Sequence, residues 1–168
     1  MQVGISRFVR AFTLGAAAVA LVSCSPQSHR AGEENNAATQ SSPQVLSAAD
    51  SSGYAGAAEG LKVYYEVRGK GEPIVVLAGG LMDIGSMAQV IGPLSRNRQV
   101  IGIDLEGHGK TGLRDTPMTH ERLGEDVAAV LPHLKIAKAD VAGYSHGGAA
   151  ALRTAIQHPE MVRNLILI

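Results

Sequence analysis

Tryptophan is absent from the 168 residues, and there are only four Tyr and two Phe. So few rings cannot build the stacking platforms on which single-stranded nucleic acids lie. An excess of charge is also missing: 15 Lys and Arg balance 15 Asp and Glu. Without a basic field there is nothing to draw a nucleic acid, which is not expected as a partner. The single cysteine, Cys24, rules out a disulfide within the chain and a metal cluster built on thiolates. No two of the six histidines have the i, i+4 spacing of a helical metal site. Neither a metal nor a cofactor is therefore expected. The apolar run from Ala11 to Val22 is well short of the ~20 residues that cross a bilayer as a helix.

That run nevertheless has a context. Arg7 and Arg10 precede it and "LVSC" closes it. A positive segment followed by a short apolar segment is the pattern of a secretory signal. Leu21, Val22, Ser23 and Cys24 resemble the lipobox of bacterial lipoproteins. The resemblance implies a signal peptide over residues 1–23, cleavage before Cys24, and a diacylglycerol on its thiol. Acyl chains contribute about 0.8 kcal/mol per buried CH₂, so two or three of them anchor stably. The implied location is the bacterial cell envelope, with the membrane as a partner through the lipid. Ser25 after the cysteine favours the outer membrane or cell surface. Residues 25–58 are rich in Ser, Ala, Asn, Gln and Gly, with no sustained apolar period. With lipidated Cys24 they are expected to form a flexible tether over 24–58.

From residue 59 the texture changes. "LKVYYEVRG" is rich in β-branched and aromatic residues and reads as a strand or hairpin arm. "PIVVLAGG", "RQVIGID", "ADVAGY" and "VRNLILI" are continuous apolar runs, the pattern of strands buried on both faces. Between them lie helical patterns. "SMAQVIGPLS" is limited by Pro93. "THERLGEDVAAVLPHL" begins at a capping Thr119 and carries Pro132 in its last turn. "GGAAALRTAIQHP" ends at Pro159. Strand and helix in alternation predict an α/β domain over 59–168, a parallel sheet with helices on both faces. Ligands of such sheets bind at the carboxyl ends of the strands, so "AGGLM", "DLEGHGKT" and "GYSHGG" share one rim.

One of these loops invites two phosphate readings. "GHGKTG" has the spacing of a dinucleotide-binding turn, and "GKT" is how a P-loop ends. A P-loop would need glycine at position 104, where Asp104 stands, and a carboxylate repels phosphate oxygens. The dinucleotide turn should open a helix, yet "LRDTPM" with Pro117 follows. Neither phosphate reading is retained.

"VAGYSHGGAA" carries more. Gly143-Tyr144-Ser145-His146-Gly147 is G-x-S-x-G directly after a strand and before a helix, the context that motif requires. A serine on such a turn is thrust out at the rim, and small residues two before and two after let strand and helix approach. The helix N-terminus behind it favours an oxyanion. With "YYEVRGKGEPIVVLAGG" and "IDLEGHGKT", this stretch resembles the N-terminal portion of the α/β-hydrolase-fold superfamily, of the esterase or lipase-like type, from about Leu61 to Ile168.

The resemblance implies a serine hydrolase acting on a carboxylic ester or similar small acyl substrate. Ser145 would be its nucleophile. Backbone N–H groups of Gly80 and His146 would form the oxyanion hole, and Leu81 and Met82 would line the acyl pocket. Many members have His-Gly where this chain has Ala78-Gly79, which removes a side chain that braces the loop. His108 is read as support for its own loop. His120, His133 and His158 are read as surface groups, and Asp126, Asp140 and Glu160 as ordinary charges. The family's acid and histidine follow later strands and are expected beyond Ile168, so the chain as it stands is expected to be inactive or weakly active. Two alternatives stay open: a non-catalytic, membrane-tethered remnant or binding module of the same fold, and a cofactor-free peroxidase-type member. Oligomeric state is not legible.

Overall fold

The computed structural model describes residues 46–168; the expected signal peptide, Cys24 and the tether up to residue 45 lie outside the described residues. The described part is built on one six-stranded sheet. Its strands are β1 (Ser51–Gly56), β2 (Lys62–Arg68), β3 (Pro73–Leu77), β4 (Gln99–Ile103), β5 (Ala139–Gly143) and β6 (Val162–Leu167), in the order β1-β2-β4-β3-β5-β6. Three helices complete it: α1 (Ala88–Leu94), α2 (His120–His133) and α3 (His146–Gln157).

The four apolar strands β4, β3, β5 and β6 are parallel neighbours. Alternation sends Val75 and Leu77 of β3 into one core with Leu123, Val127 and Leu131 of α2 and Ala150 and Ala151 of α3. Ile74 and Val76 enter a second core on the other face with Ile91 of α1 and Ile84 and Met87 of the turn before it. β3, β4 and β5 are covered on both faces, which is why their runs lack alternation; β6, expected to be buried in the same way, is instead intermediate or exposed along its whole length, because it lies at the edge of the described sheet. Gly102 of β4 marks a close approach: a Cβ there would sit 2.9 Å from the Ile84 side chain.

Two readings of the sequence are corrected here. The sheet is mixed, because β2 runs antiparallel to both β1 and β4. A short 3₁₀ turn at Ala58–Gly60 joins β1 to β2, too little chain for a parallel crossover, which needs a dozen residues or more. The tether reading also fails at its C-terminal end, since Ser51–Gly56 forms β1. "SSGYAG" has little strand propensity of its own. The free edge of β2 supplies the pairing, Ala55 is fully buried, and Tyr54 meets Tyr64 edge-on at 5.3 Å.

The helix ends follow their sequence signals. Thr119 Oγ1 accepts a hydrogen bond from the Arg122 N–H at 3.3 Å, and Pro132 lies in the last turn of α2. α2 and α3 pack together on one face, where Gly124 lets the Arg153 backbone come within 3.1 Å of a would-be Cβ. Asp140, read as an ordinary charge, is buried. It accepts hydrogen bonds from Arg163 and Asn164, both at 2.8 Å, and pairs with Arg98, tying β5 to β6 and to the turn before β4.

Candidate active site

β5 ends at Gly143 and α3 begins at His146, so Tyr144 and Ser145 alone make the turn. Ser145 takes φ 50° and ψ −113°, a region costly for a residue with a Cβ. The flanking glycines show what the sharpness requires. A Cβ on Gly143 would lie 2.2 Å from the Gly147 carbonyl oxygen, and one on Gly147 would lie 2.4 Å from the Ala78 carbonyl oxygen. Strand, helix and the loop after β3 therefore meet backbone to backbone. Hydrogen bonds hold the turn from both sides. Tyr144 N–H donates to Leu77 O at 3.1 Å and Ser145 N–H to Ile168 O at 2.8 Å, while Ile168 N–H donates to Gly143 O at 3.0 Å. Ser145 is exposed, and its hydroxyl does not cap the helix behind it.

Gly80 faces the start of α3, its would-be Cβ 3.8 Å from the Cβ of His146. Among the described residues, neither the Gly80 nor the His146 N–H finds a backbone acceptor. Gly79 to Met82 form a turn closed by Met82 N–H donating to Gly79 O at 3.2 Å. Its third residue, Leu81, has φ 62°, where glycine is the usual occupant, and the residue is fully exposed. An open pocket of about 480 Å³ gathers Ser145, His146, Gly80 and Leu81 with His108 and Met118. Met82 lines an adjoining pocket with Leu81, Asp83 and His108.

The "GHGKT" loop wraps around a carboxylate. Buried Asp104 accepts hydrogen bonds from Ile84 N–H at 2.9 Å and Lys110 N–H at 2.8 Å. Burial raises its carboxyl above the ordinary range, and those two bonds counter the rise. Gly109, at φ 51°, has no room for a Cβ beside Asp104. Thr111 Oγ1 donates to Asp104 O at 2.7 Å and accepts from Tyr64 N–H at 2.9 Å. The Lys110 N–H and Thr111 hydroxyl, which a phosphate would need, are thus already engaged.

Below this loop lies a buried ionic group that sequence reasoning missed. Arg114 pairs with Glu106 at 2.6 Å and Asp126 at 2.5 Å; its side chain is 4% exposed and both carboxylates are 1% exposed. Its hydrogen bonds with Asp126 hold the guanidinium above its ordinary value despite burial. Asp126 is therefore no ordinary helix charge. The loop between β4 and α2 is pinned through Arg114 to α2, and to Ala58 O at 3.2 Å.

Three imidazoles converge at the mouth. His146 stacks on His108 with centroids 5.7 Å apart, and His120, tilted to it, also stands 5.7 Å from His146. Burial, then the nearby His108 and His120, push the His146 imidazole below its ordinary value. The sequence alone makes His120 a surface group. It is exposed, but it starts α2 directly after the rim loop, and position at the N-terminus of a βα helix was the available signal. His133 is exposed and hydrogen bonded to the Tyr65 hydroxyl at 3.3 Å, and half-buried His158 pairs with Glu125 at 3.1 Å. No group of three or more potential metal ligands among the described residues is arranged to hold a metal ion.

A strand–serine–helix elbow at the carboxyl edge of a sheet defines a class, and comparison with known families agrees. Residues 72–168 match the family model of the alpha/beta hydrolase fold, and the chain belongs to that family. Among its relatives is the dihydrolipoyllysine-residue acetyltransferase component of the acetoin cleaving system of Pseudomonas putida, 38% identical over 62% of this chain and 29% of the relative. The pimeloyl-[acyl-carrier protein] methyl ester esterase of Nitrosomonas europaea is 34% identical over 63% of this chain and 40% of the relative. In solved structures, an esterase from Exiguobacterium antarcticum superimposes with a TM-score of 0.64 at 29% identity, over 68% of this chain and 43% of that one. The chain thus spans less than half the length of each.

Proposed function

We propose that this chain carries the nucleophile half of a serine hydrolase acting on a small carboxylic ester or similar acyl group. The observation that carries the reading is the elbow itself: an exposed serine at φ 50° and ψ −113°, held there by backbone contacts that exclude any side chain at Gly143 and Gly147. Ser145 Oγ attacks the acyl carbon. The N–H groups of Gly80 and His146 receive the oxyanion, aided by the N-terminus of α3. Leu81 and Met82 flank the acyl group. Esterases among the relatives support this choice of substrate class. Among the described residues no imidazole is hydrogen bonded to Ser145, and an unassisted serine hydroxyl is a weak nucleophile. Turnover by the 168-residue chain is therefore slow, within the ~10³–10⁴-fold over water that an oxyanion hole and binding leave without a triad. Reaction with a fluorophosphonate, followed by peptide mass analysis, tests the assignment. An adduct on Ser145, lost in Ser145→Ala, is expected. An unlabelled Ser145 in folded protein overturns it in favour of a binding module of the same fold.

The same reading extends to location. Cys24 after "LVS" is lipidated, and residues 24–50 tether the domain to the bacterial envelope, with the outer membrane favoured. The support is the sequence pattern alone; no described helix is long and apolar enough to cross a membrane. Cys24→Ala should release the protein from the membrane fraction. Retention there with unchanged mass overturns the anchor.

A further inference from the structure

An oxyanion donor works only where it is held in place, yet Gly80 sits on a turn with few ties to the rest of the sheet. The hydrogen bonds of residues 79–84 stay within that segment or reach the turn that follows it, with one exception among the described residues. The turn is also strained. Leu81 has φ 62°, and a residue with a Cβ stays in that region only where its surroundings over-determine it. Position 78 carries a methyl group alone, so no polar side chain braces the loop from there. The exception is the Ile84 N–H, two residues past the turn, which donates to Oδ1 of Asp104 at 2.9 Å.

We propose that Asp104 is a positioning residue for the oxyanion hole, holding the loop of Gly80 with one carboxylate oxygen and the opposite rim loop with the other; the inference rests on the Ser145 reading above. Its second oxygen, Oδ2, accepts from the Lys110 N–H at 2.8 Å. The pocket that contains Ser145 has Gly80 and Leu81 on one wall and His108 on the other. One carboxylate thus ties together the two loops that form those walls. Asp104 is itself fixed. Its N–H donates to Tyr64 O at 3.1 Å, and its carbonyl oxygen accepts from the Thr111 hydroxyl at 2.7 Å. Gly109 closes over the carboxylate so tightly that a Cβ there would lie 2.0 Å from Oδ2. A carboxylate is suited to the task, because it accepts at both oxygens and its bonds from backbone N–H groups are charge-assisted. Asp104 touches neither Ser145 nor the reacting atoms. It acts through Ile84 on the place of the Gly80 N–H, and therefore on the charge that develops during attack rather than on the binding of the acyl group.

The test uses the full chain and a fluorophosphonate, with the Ser145 adduct followed by peptide mass analysis and the inactivation constant kinact separated from the binding constant KI. Asp104→Asn keeps size and burial but turns one acceptor oxygen into a donor that faces a donating N–H. It should lower kinact about tenfold or more, short of the ~10²–10³-fold of deleting an oxyanion donor, and leave KI within about twofold. Asp115→Asn, which removes an exposed charge from the same rim loop, should change neither constant. Replacing Ile84 by its α-hydroxy acid deletes the one N–H and keeps both the Ile84 side chain and Asp104. It should reproduce the fall in kinact, and it carries the test where Asp104→Asn melts below the assay temperature. A kinact within about twofold of wild type in a folded variant, whatever its melting temperature, overturns the proposal, and so does a loss that lies wholly in KI. A wild-type Ser145 that takes no label overturns instead the Ser145 reading on which the proposal rests.

Discussion

Ser145 holds a conformation that glycine adopts with least strain, and its strain is not relieved locally. Residues in such regions cost about 1–3 kcal/mol and persist where the surroundings over-determine them. Here the surroundings are the Leu77, Gly143 and Ile168 backbone groups bonded to the turn. Ser145→Gly should therefore raise stability by about 1 kcal/mol, after the entropy of the freer unfolded chain is subtracted. It should also abolish hydrolysis, and denaturant melts beside ester assays read both. Gly147→Ala should do the opposite to stability. With carbonyl oxygens of Ala78 and Leu77 2.4 and 2.6 Å from the new Cβ, only backbone movement can accommodate it. A loss of about 3 kcal/mol or more is expected, read as a lower urea midpoint at unchanged slope.

At the scale of elements, charged groups hold the rim loop and the end of the sheet in place. The loop between β4 and α2 carries His108, Met118 and the turn around Asp104, and its only buried cation is Arg114. Arg114→Met would leave Glu106 and Asp126 buried without a countercharge. Breaking one partner of a buried group costs about 3–5 kcal/mol, so the variant should melt well below wild type. Asp140 adds a pH dependence. Its hydrogen bonds to Arg163, then to Arg98 and Asn164, hold its carboxyl far below the ordinary value against the opposing effect of burial. The unfolded chain therefore binds this proton at a higher pH than the folded one. The contribution is complete above the ordinary carboxylate value and is lost as pH falls from there through the depressed one. Stability measured from neutral pH into acid should drop across that window, and Asp140→Asn should have a shallower drop and lower stability at pH 7.

At the scale of the whole molecule, β6 lies at one edge of the described sheet. There Ile166, Leu167 and Ile168 are 42, 52 and 67% exposed. An apolar strand edge is a template for pairing with other chains. The purified chain should show concentration-dependent association by light scattering, and Ile166→Lys should reduce it. A monomer at all concentrations would show that the edge is protected. The ends of β6 also matter to the elbow, because Ile168 both donates to Gly143 and accepts from Ser145.

The sequence by itself determined the positions of the four apolar strands and three helices, because each has a local signature: an unbroken apolar run, a capping Thr119, a proline near an end; it did not determine that β6 would be partly exposed. It also marked the Ser145 turn, since small residues at 143 and 147 are a local steric requirement. Tertiary structure decided the rest. β1 exists because the edge of β2 offers hydrogen bonds to a stretch that would not form a strand alone. The antiparallel sense of β2 follows from the short connection to β1. Asp126 and Asp140 look like solvated charges in the sequence, and only the approach of Arg114 and Arg163, 12 and 23 residues away, makes them buried ion pairs. His108, His120 and His146 have no spacing that links them. They meet because two βα connections, β4 to α2 and β5 to α3, end on one edge of the sheet, and strand order, which no local pattern encodes, sets which connections become neighbours.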